Sequence, residues 1–143
     1  MSDEIEVSFE TEGIQKNFMF LNRKAPYGTI YALEVLEMIL ISAAFEQNTN
    51  VVWMDDGVYQ IVKGMNTEAL KMKNFSPTYR ILEAEKEDAD EDEDAEMSWR
   101  LIVEKESMEA RGLTPEDFII DVEVLTGAEL GKVMEEMDVI LGG

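Results

Sequence analysis

The sequence predicts a single α/β domain, three layers deep, built on a mainly parallel sheet of five strands. Three observations carry that prediction. The chain has 143 residues, room for one ordinary domain. Five short apolar runs read as strands, at 17–22, 50–54, 99–104, 118–124 and 138–141. Helical patterns lie between them, and strands that alternate with helices assemble into a parallel sheet. At 45% hydrophobic and 31% charged residues, the chain can bury a core and keep a solvated surface.

The elements follow in order. Residues 1–15 form an acidic lead that we expect to be flexible, and the domain proper spans 16–143. Asn17-Phe-Met-Phe-Leu-Asn22 is apolar at successive positions, as a strand buried on both faces must be. Pro26 and Gly28 break it in Arg23-Lys-Ala-Pro-Tyr-Gly28. Thr29 then offers a hydroxyl cap for a helix running to about Gln47. Asn50-Val-Val-Trp-Met54 is the second buried strand, closed by Asp55-Asp-Gly57. A short helical segment from Val58 to Lys63 ends at Gly64. Thr67 to Lys73 and Ser76 to about Glu85 are expected to be helical, with Ser76-Pro77 as cap and first-turn residue.

Ten carboxylates and one lysine then crowd the 14 residues from Glu83 to Glu96. Such a run repels itself and has little to bury, so we expect an acidic, solvated loop inserted at 83–96. It lacks the Asp-x-Asp-x-Asp-Gly spacing of a calcium loop; docking a basic partner is the remaining special use. Beyond it, Trp99 to Glu104 forms the third strand, and Ser107 to Arg111 a helical turn ended by Gly112. Phe118 to Val124 is the fourth strand, Thr126 caps a helix through Glu136, and Asp138 to Leu141 is the short last strand.

The chain has no histidine and no cysteine. That excludes Ser-His-Asp and Cys-His catalysis, a persulfide carried on this polypeptide, and thiolate or imidazole ligation of zinc or iron–sulfur clusters. The net charge is −20, and it is uneven: −5 over residues 1–13, +1 over 14–80 and −16 over 81–143. So acidic a chain is repelled by phosphate backbones and anionic membranes, so neither is an expected partner. Met1-Ser-Asp-Glu-Ile-Glu has no basic or apolar leader pattern, and the longest apolar stretch, Met38 to Phe45, is too short to span a bilayer. A cytoplasmic protein is expected.

The helix from Thr29 to Gln47 is unusual. Leu33, Leu36, Leu40, Ala43 and Ala44 form one apolar stripe, suited to lying on a sheet. Tyr31, Val35, Met38, Ile41 and Phe45 supply a second, broken only by Glu34 and Glu37. Two apolar sides call for two coverings, and in so short a chain the second is expected to be another subunit.

Ligands of parallel α/β sheets bind beyond the carboxyl ends of the strands. Here that edge collects Arg23 to Thr29, Asp55 to Gly57 and the link after Glu104. The first loop combines two cations, a glycine and a helix N-terminus, so it can hold an anion, lower the pKa of a thiol presented by a partner, or simply turn the chain. Asp55 and Asp56 can serve as acid and base, hold Mg²⁺, or cap the following helix. Lys63, Lys71, Lys73 and Arg80 form a loose basic cluster that is either a partner surface or a solvated face.

Long strings in this sequence resemble a known family. Lys16-Asn-Phe-Met-Phe-Leu-Asn-Arg-Lys-Ala-Pro-Tyr-Gly-Thr-Ile-Tyr-Ala-Leu-Glu34, Met54-Asp-Asp-Gly-Val-Tyr-Gln60 and Met72-Lys-Asn-Phe-Ser-Pro-Thr-Tyr-Arg80 are similar to the DsrF/TusC family of DsrE/DsrF/DsrH-like sulfur relay proteins. Leu101 to Leu113, with Glu109-Ala-Arg-Gly-Leu113, and the final strand fit the same pattern. The resemblance covers 16–141, is strongest over 16–82, and is nearer the DsrF side, of the sulfur-oxidation complex DsrEFH, than the TusC side, of tRNA thiolation.

That resemblance implies a compact DsrE/DsrF-like α/β domain with flavodoxin-like winding. It implies a non-catalytic, structural subunit without a cofactor, assembled with DsrE-like and DsrH-like subunits as a 2:2:2 heterohexamer. In such a complex a persulfide passes from a cysteine of the DsrE-like subunit to a DsrC/TusE-type acceptor. Some DsrF chains carry a cysteine where this one has Asn50-Val51-Val52. The partner interface expected here comprises Arg23, Lys24, Tyr27, Gly28, Tyr31, Val35, Met38, Asp55, Asp56 and Tyr59. A TusC-like subunit of the 2-thiouridine relay and a stand-alone carboxylate enzyme using Asp55 and Asp56 are the alternatives.

Overall fold

The computed structural model describes residues 15–24, 37–42, 45, 47–63, 76–91 and 97–142. Its strands are β1 (Asn17–Asn22), β2 (Asn48–Trp53), β3 (Trp99–Glu104), β4 (Glu123–Leu125) and β5 (Val139–Gly142). The helices are α1 (Ser76–Glu91), α2 (Lys105–Ala110) and α3 (Gly127–Glu135), with a 3-10 helix at Asp55–Ile61. Residues 37–42 are helical as well.

Every strand pairing is parallel, in the order β4-β3-β2-β1-β5. The parallel α/β class is as expected; the winding is not. A flavodoxin-like sheet runs 2-1-3-4-5, whereas here β1 to β4 step in one direction and β5 returns to the far side of β1. Pairing β1 on both edges satisfies the backbone of an apolar strand. Gly142 lets β5 come close, since a Cβ there would sit 3.1 Å from the Leu21 Cβ.

Alternation along the strands sorts side chains to two faces. Phe18, Phe20, Val51, Trp53, Trp99, Leu101 and Val103 belong to one core, closed by Ile39, Val58, Ile61, Leu82, Met108, Phe118 and Ile120. Met19, Val52 and Ile102 project to the other face, beneath Leu130, Val133 and Met134 of α3 and the following Met137. The sheet therefore lies between two covering layers. Its polar positions are paired: buried Asn50 donates through Nδ2 to the Phe18 carbonyl at 3.0 Å, and Asn22 likewise to that of Val52 at 3.2 Å.

Several local expectations need correction. β2 begins at Asn48 rather than Asn50, because Thr49 and Asn48 satisfy their own polar groups: Thr49 Oγ1 donates to the Gln47 carbonyl at 3.0 Å and Asn48 Nδ2 to Asn17 Oδ1 at 3.0 Å. The fourth strand is only Glu123–Leu125. Phe118 instead forms an antiparallel bridge with Val62, and the Ile119 N–H donates to the Ile61 carbonyl at 2.8 Å. Phe118 and Ile120 thereby plug the core under the 3-10 helix instead of extending the sheet.

The acidic run is not a loop over its first part, since α1 continues to Glu91. Glutamate, alanine and lysine are good helix formers. Leu82 is fully buried and Ala89, two turns on, packs against the same core. Lys86 and Asp90 pair one turn apart, and the Glu83 carboxylate accepts the Asp121 N–H at 2.6 Å. The solvated part of the expectation holds for exposed Glu87, Asp88, Asp90 and Glu91, while residues 92–96 lie outside the described residues.

The helix over 37–42 is rotated by one residue, about 100°, from the expected stripe. Ile39 is fully buried and Ser42 places its hydroxyl 3.3 Å from Thr49 Oγ1, so these residues, and not Leu40, face the sheet. Leu40, Ile41 and Phe45 remain 38%, 57% and 62% exposed. Met38, expected at a partner interface, is half-buried against the protein's own core.

Candidate functional site

The carboxyl edge of the sheet is built where β1, β2 and β3 end together. The Asn22 carbonyl, closing β1, accepts the Met54 N–H at 3.0 Å, which draws the chain after β2 across the end of β1. Gly57 passes so near that a Cβ would stand 1.8 Å from the Asn22 oxygen, so no other residue fits. Asp55 adopts the left-handed conformation, φ 50°, a costly state for a residue with a side chain. Its N–H donates to Ser107 Oγ at 2.8 Å, and the Ser107 hydroxyl donates in turn to Glu104. Ser107 is buried in the first turn of α2, so a helix following β3 holds a strained turn following β2.

Charges are paired across the same edge. Arg23 Nε donates to Asp55 Oδ2 at 3.0 Å. Arg111 donates through Nε and an η nitrogen to Asp56 Oδ1, at 3.2 and 3.0 Å, and through the other η nitrogen to the Ser107 carbonyl at 3.1 Å. The adjacent carboxylates thus go to different guanidinium groups. That arrangement suits two tethers, not an acid and base acting on one substrate. Nor do they cap the 3-10 helix: Met54 is its N-cap, without a side-chain bond, and Asp55 and Asp56 lie in the first turn, where negative charge complements the helix dipole. Buried Gln60 donates through Nε2 to the Lys24 carbonyl at 2.8 Å, fixing the backbone on which Lys24 stands.

The end of β4 carries its own closed network. Thr126 Oγ1 accepts the Glu129 N–H at 3.1 Å, and Glu129 accepts the Thr126 N–H at 3.0 Å. Hydrogen bonding to the Glu129 carboxylate by Thr126, its backbone N–H first and its side chain second, holds that carboxyl below the usual range. The Gly127 N–H donates to Glu106 Oε2 at 2.6 Å. On the α3 face of the sheet, Arg100 grips Glu123 with two hydrogen bonds, of 2.9 and 2.8 Å. That grip lowers the Glu123 pKa and raises that of Arg100, each against the opposing effect of partial burial.

Of the residues expected at an interface, Arg23, Lys24, Asp55 and Asp56 share this edge, and Tyr59 is half-buried in the 3-10 helix. Tyr27, Gly28, Tyr31 and Val35 lie outside the described residues, as do Lys71 and Lys73. Ser107 and Arg111 were not singled out, although Arg111 stands in the Glu109-Ala-Arg-Gly-Leu113 string. The usable signal was their place directly after β3, on the edge that Asp55 already marked. Among the described residues no group of three or more histidine, cysteine, aspartate or glutamate side chains is arranged to hold a metal ion. No described helix is long and apolar enough to cross a membrane.

Comparison with known proteins adds four findings. A family described as DsrE/DsrF-like matches residues 16–90. The intracellular sulfur oxidation protein DsrF of Allochromatium vinosum is 45% identical, over 89% of this chain and 96% of that protein. A TusC homolog of Vibrio vulnificus is 30% identical, over 80% of this chain and 88% of its own length. In fold the chain is similar to the ychN protein of E. coli, with a TM-score of 0.71 and 20% identity, covering 91% of this chain and 100% of that one.

Proposed function

The chain belongs to the DsrE/DsrF-like family, and from there we propose that it is a non-catalytic, structural subunit of a DsrEFH-type sulfurtransferase complex in cytoplasmic sulfur oxidation. One observation carries the proposal. A chain 45% identical to a protein named for intracellular sulfur oxidation has neither cysteine nor histidine anywhere in its 143 residues. It has no atom on which to hold sulfane sulfur, so it serves the relay by lending surface to a neighbour that has a thiol.

In the transfer itself the acceptor's thiolate attacks the outer sulfur of the neighbour's persulfide. The S–S bond breaks, and the donor sulfur departs as a thiolate. The contribution of this chain is geometric and electrostatic. Leu40 and Ile41, exposed on a helix whose other side is buried in the core, and exposed Phe45 are the surface offered to a DsrE-like or DsrH-like subunit. The carboxyl edge, with Arg23, Lys24, Asp55, Asp56 and Tyr59, borders the neighbour's cysteine.

Co-expression with DsrE-like and DsrH-like chains tests this reading. The expected product is one tight species with two copies of each chain by native mass measurement, passing persulfide to a DsrC-type acceptor. A stable monomer indifferent to those chains, or sulfur turnover by this chain alone, overturns it. The 30% identity to a TusC homolog supports the second reading, a subunit of the relay for tRNA 2-thiouridine. Transfer to a TusE-type acceptor in preference to a DsrC-type one decides for it.

A further inference from the structure

The carboxyl edge holds four cations among the described residues, and three of them are spoken for. Arg23 is paired with Asp55 at 3.0 Å, Arg111 with Asp56 at 3.0 Å, and Lys105 with Glu109 at 3.8 Å. Lys24 is exposed and makes no ion pair among the described residues, while its carbonyl is pinned by buried Gln60. We infer that Lys24, rather than Arg23, is the cation this edge presents toward the neighbouring subunit's thiolate, and that Arg23 and Asp55 act together as an electrically neutral tether.

The argument is Coulombic. Seen from several ångströms away, a guanidinium 3 Å from a carboxylate is a dipole whose field falls off faster than that of a single charge. The pair's work is mechanical, tying the segment after β1 to the strained Asp55 turn after β2. Lys24 starts from the same fixed backbone, and no carboxylate among the described residues pairs with its charge. Other charged groups on this edge are Asp56 and Arg111, Lys105 and Glu109, which pair with each other, and Glu104 and Glu106, which accept from the neutral Ser107 hydroxyl and Gly127 N–H and keep their charge. Lys24 is therefore a positioned cation, not a catalytic residue, and this inference rests on the reading that a neighbour's thiol meets this edge.

The test measures that thiol directly, in the co-purified complex, as the rate of its alkylation by iodoacetamide against pH. Lys24→Gln is expected to move the thiol's pKa upward by about 0.3–0.7 unit at low salt, the size of one unit charge at roughly 8–10 Å in a solvated setting. Raising the salt is expected to shrink the shift, and Lys24→Arg to restore the wild-type profile. The double variant Arg23→Gln/Asp55→Asn leaves net charge unchanged and is expected to leave the profile in place. Arg23→Gln alone is expected to raise the pKa only through the orphaned Asp55, an effect that adding Asp55→Asn cancels.

A double variant that shifts the profile as far as Lys24→Gln overturns the assignment to Lys24. An assembled complex in which Lys24→Gln moves nothing also overturns it, yet leaves the structural-subunit reading standing. Failure of the wild-type chain to join the complex overturns that reading instead.

Discussion

The Arg100–Glu123 fork fastens the shortest pairing of the sheet, that of the edge strand β4, and its removal is a measurable perturbation. β4 has three residues and meets β3 along Ile102↔Glu123 to Glu104↔Leu125 only. Arg100 spans this junction with two hydrogen bonds, of 2.9 and 2.8 Å, in the planar geometry that a guanidinium offers a carboxylate. Both side chains are more than a third exposed, or nearly so, at 35% and 40%, so water screens much of the attraction. Discounting for that, Glu123→Gln costs about 1 kcal/mol at pH 7, or about 2–4 °C in thermal midpoint for a domain of this size.

The pH dependence has a definite sign. The Arg100 hydrogen bonds depress the Glu123 pKa below the usual carboxylate range, with the Arg100 charge adding to them against partial burial. The stabilisation is thus fully present above the unfolded pKa and is lost as pH falls through the folded one. Urea unfolding of the wild-type chain and Glu123→Gln between pH 7 and 3 reads it. The gap of about 1 kcal/mol is expected to stay constant at neutral pH and close at the acid end, where both side chains are neutral. Equal stability at pH 7, or a gap that persists in acid, refutes the reasoning.

Other outcomes follow from the same geometry. Gly57→Ala drives a methyl group to 1.8 Å from the Asn22 oxygen, so it is expected to destabilise by more than about 3 kcal/mol in urea unfolding, well beyond an ordinary glycine replacement. Ile39→Ala is expected to cost about 2–4 kcal/mol and Leu40→Ala under about 0.5 kcal/mol in the same assay, because only Ile39 faces the sheet; the reverse order would mean the helix is turned the other way. Ile41→Glu/Phe45→Glu is expected to leave the isolated chain's thermal midpoint nearly unchanged while abolishing co-purification with DsrE-like and DsrH-like chains.

Strands buried on both faces announce themselves by composition. Accordingly β1 and β3 appeared in the sequence with the bounds they have in the fold, Asn17–Asn22 and Trp99–Glu104. α3 was equally legible, for Thr126 and Glu129 form a capping box spelled out in four consecutive residues. Segments whose fate depends on distant partners were not. Phe118 to Ile120 has strand composition, yet it is spent on Val62 and the core. The acids after Glu83 have loop composition, yet Leu82 and Ala89 anchor them on a helix.

The candidate site divides the same way. Local chemistry marked Arg23, Lys24, Asp55 and Asp56, because a turn after a buried strand shows in sequence as glycine, proline and charge. It could not show which cation meets which carboxylate. Those pairings join residues 32 and 55 positions apart, and only a parallel sheet that ends its strands on one edge brings them together. Likewise, the lack of any thiol is a property of the chain itself and fixes what it cannot do in any fold. Whether Lys24 lacks a carboxylate among the described residues while Arg23 is neutralised is a matter of three-dimensional neighbours, since charge acts through distance in space and not along the chain.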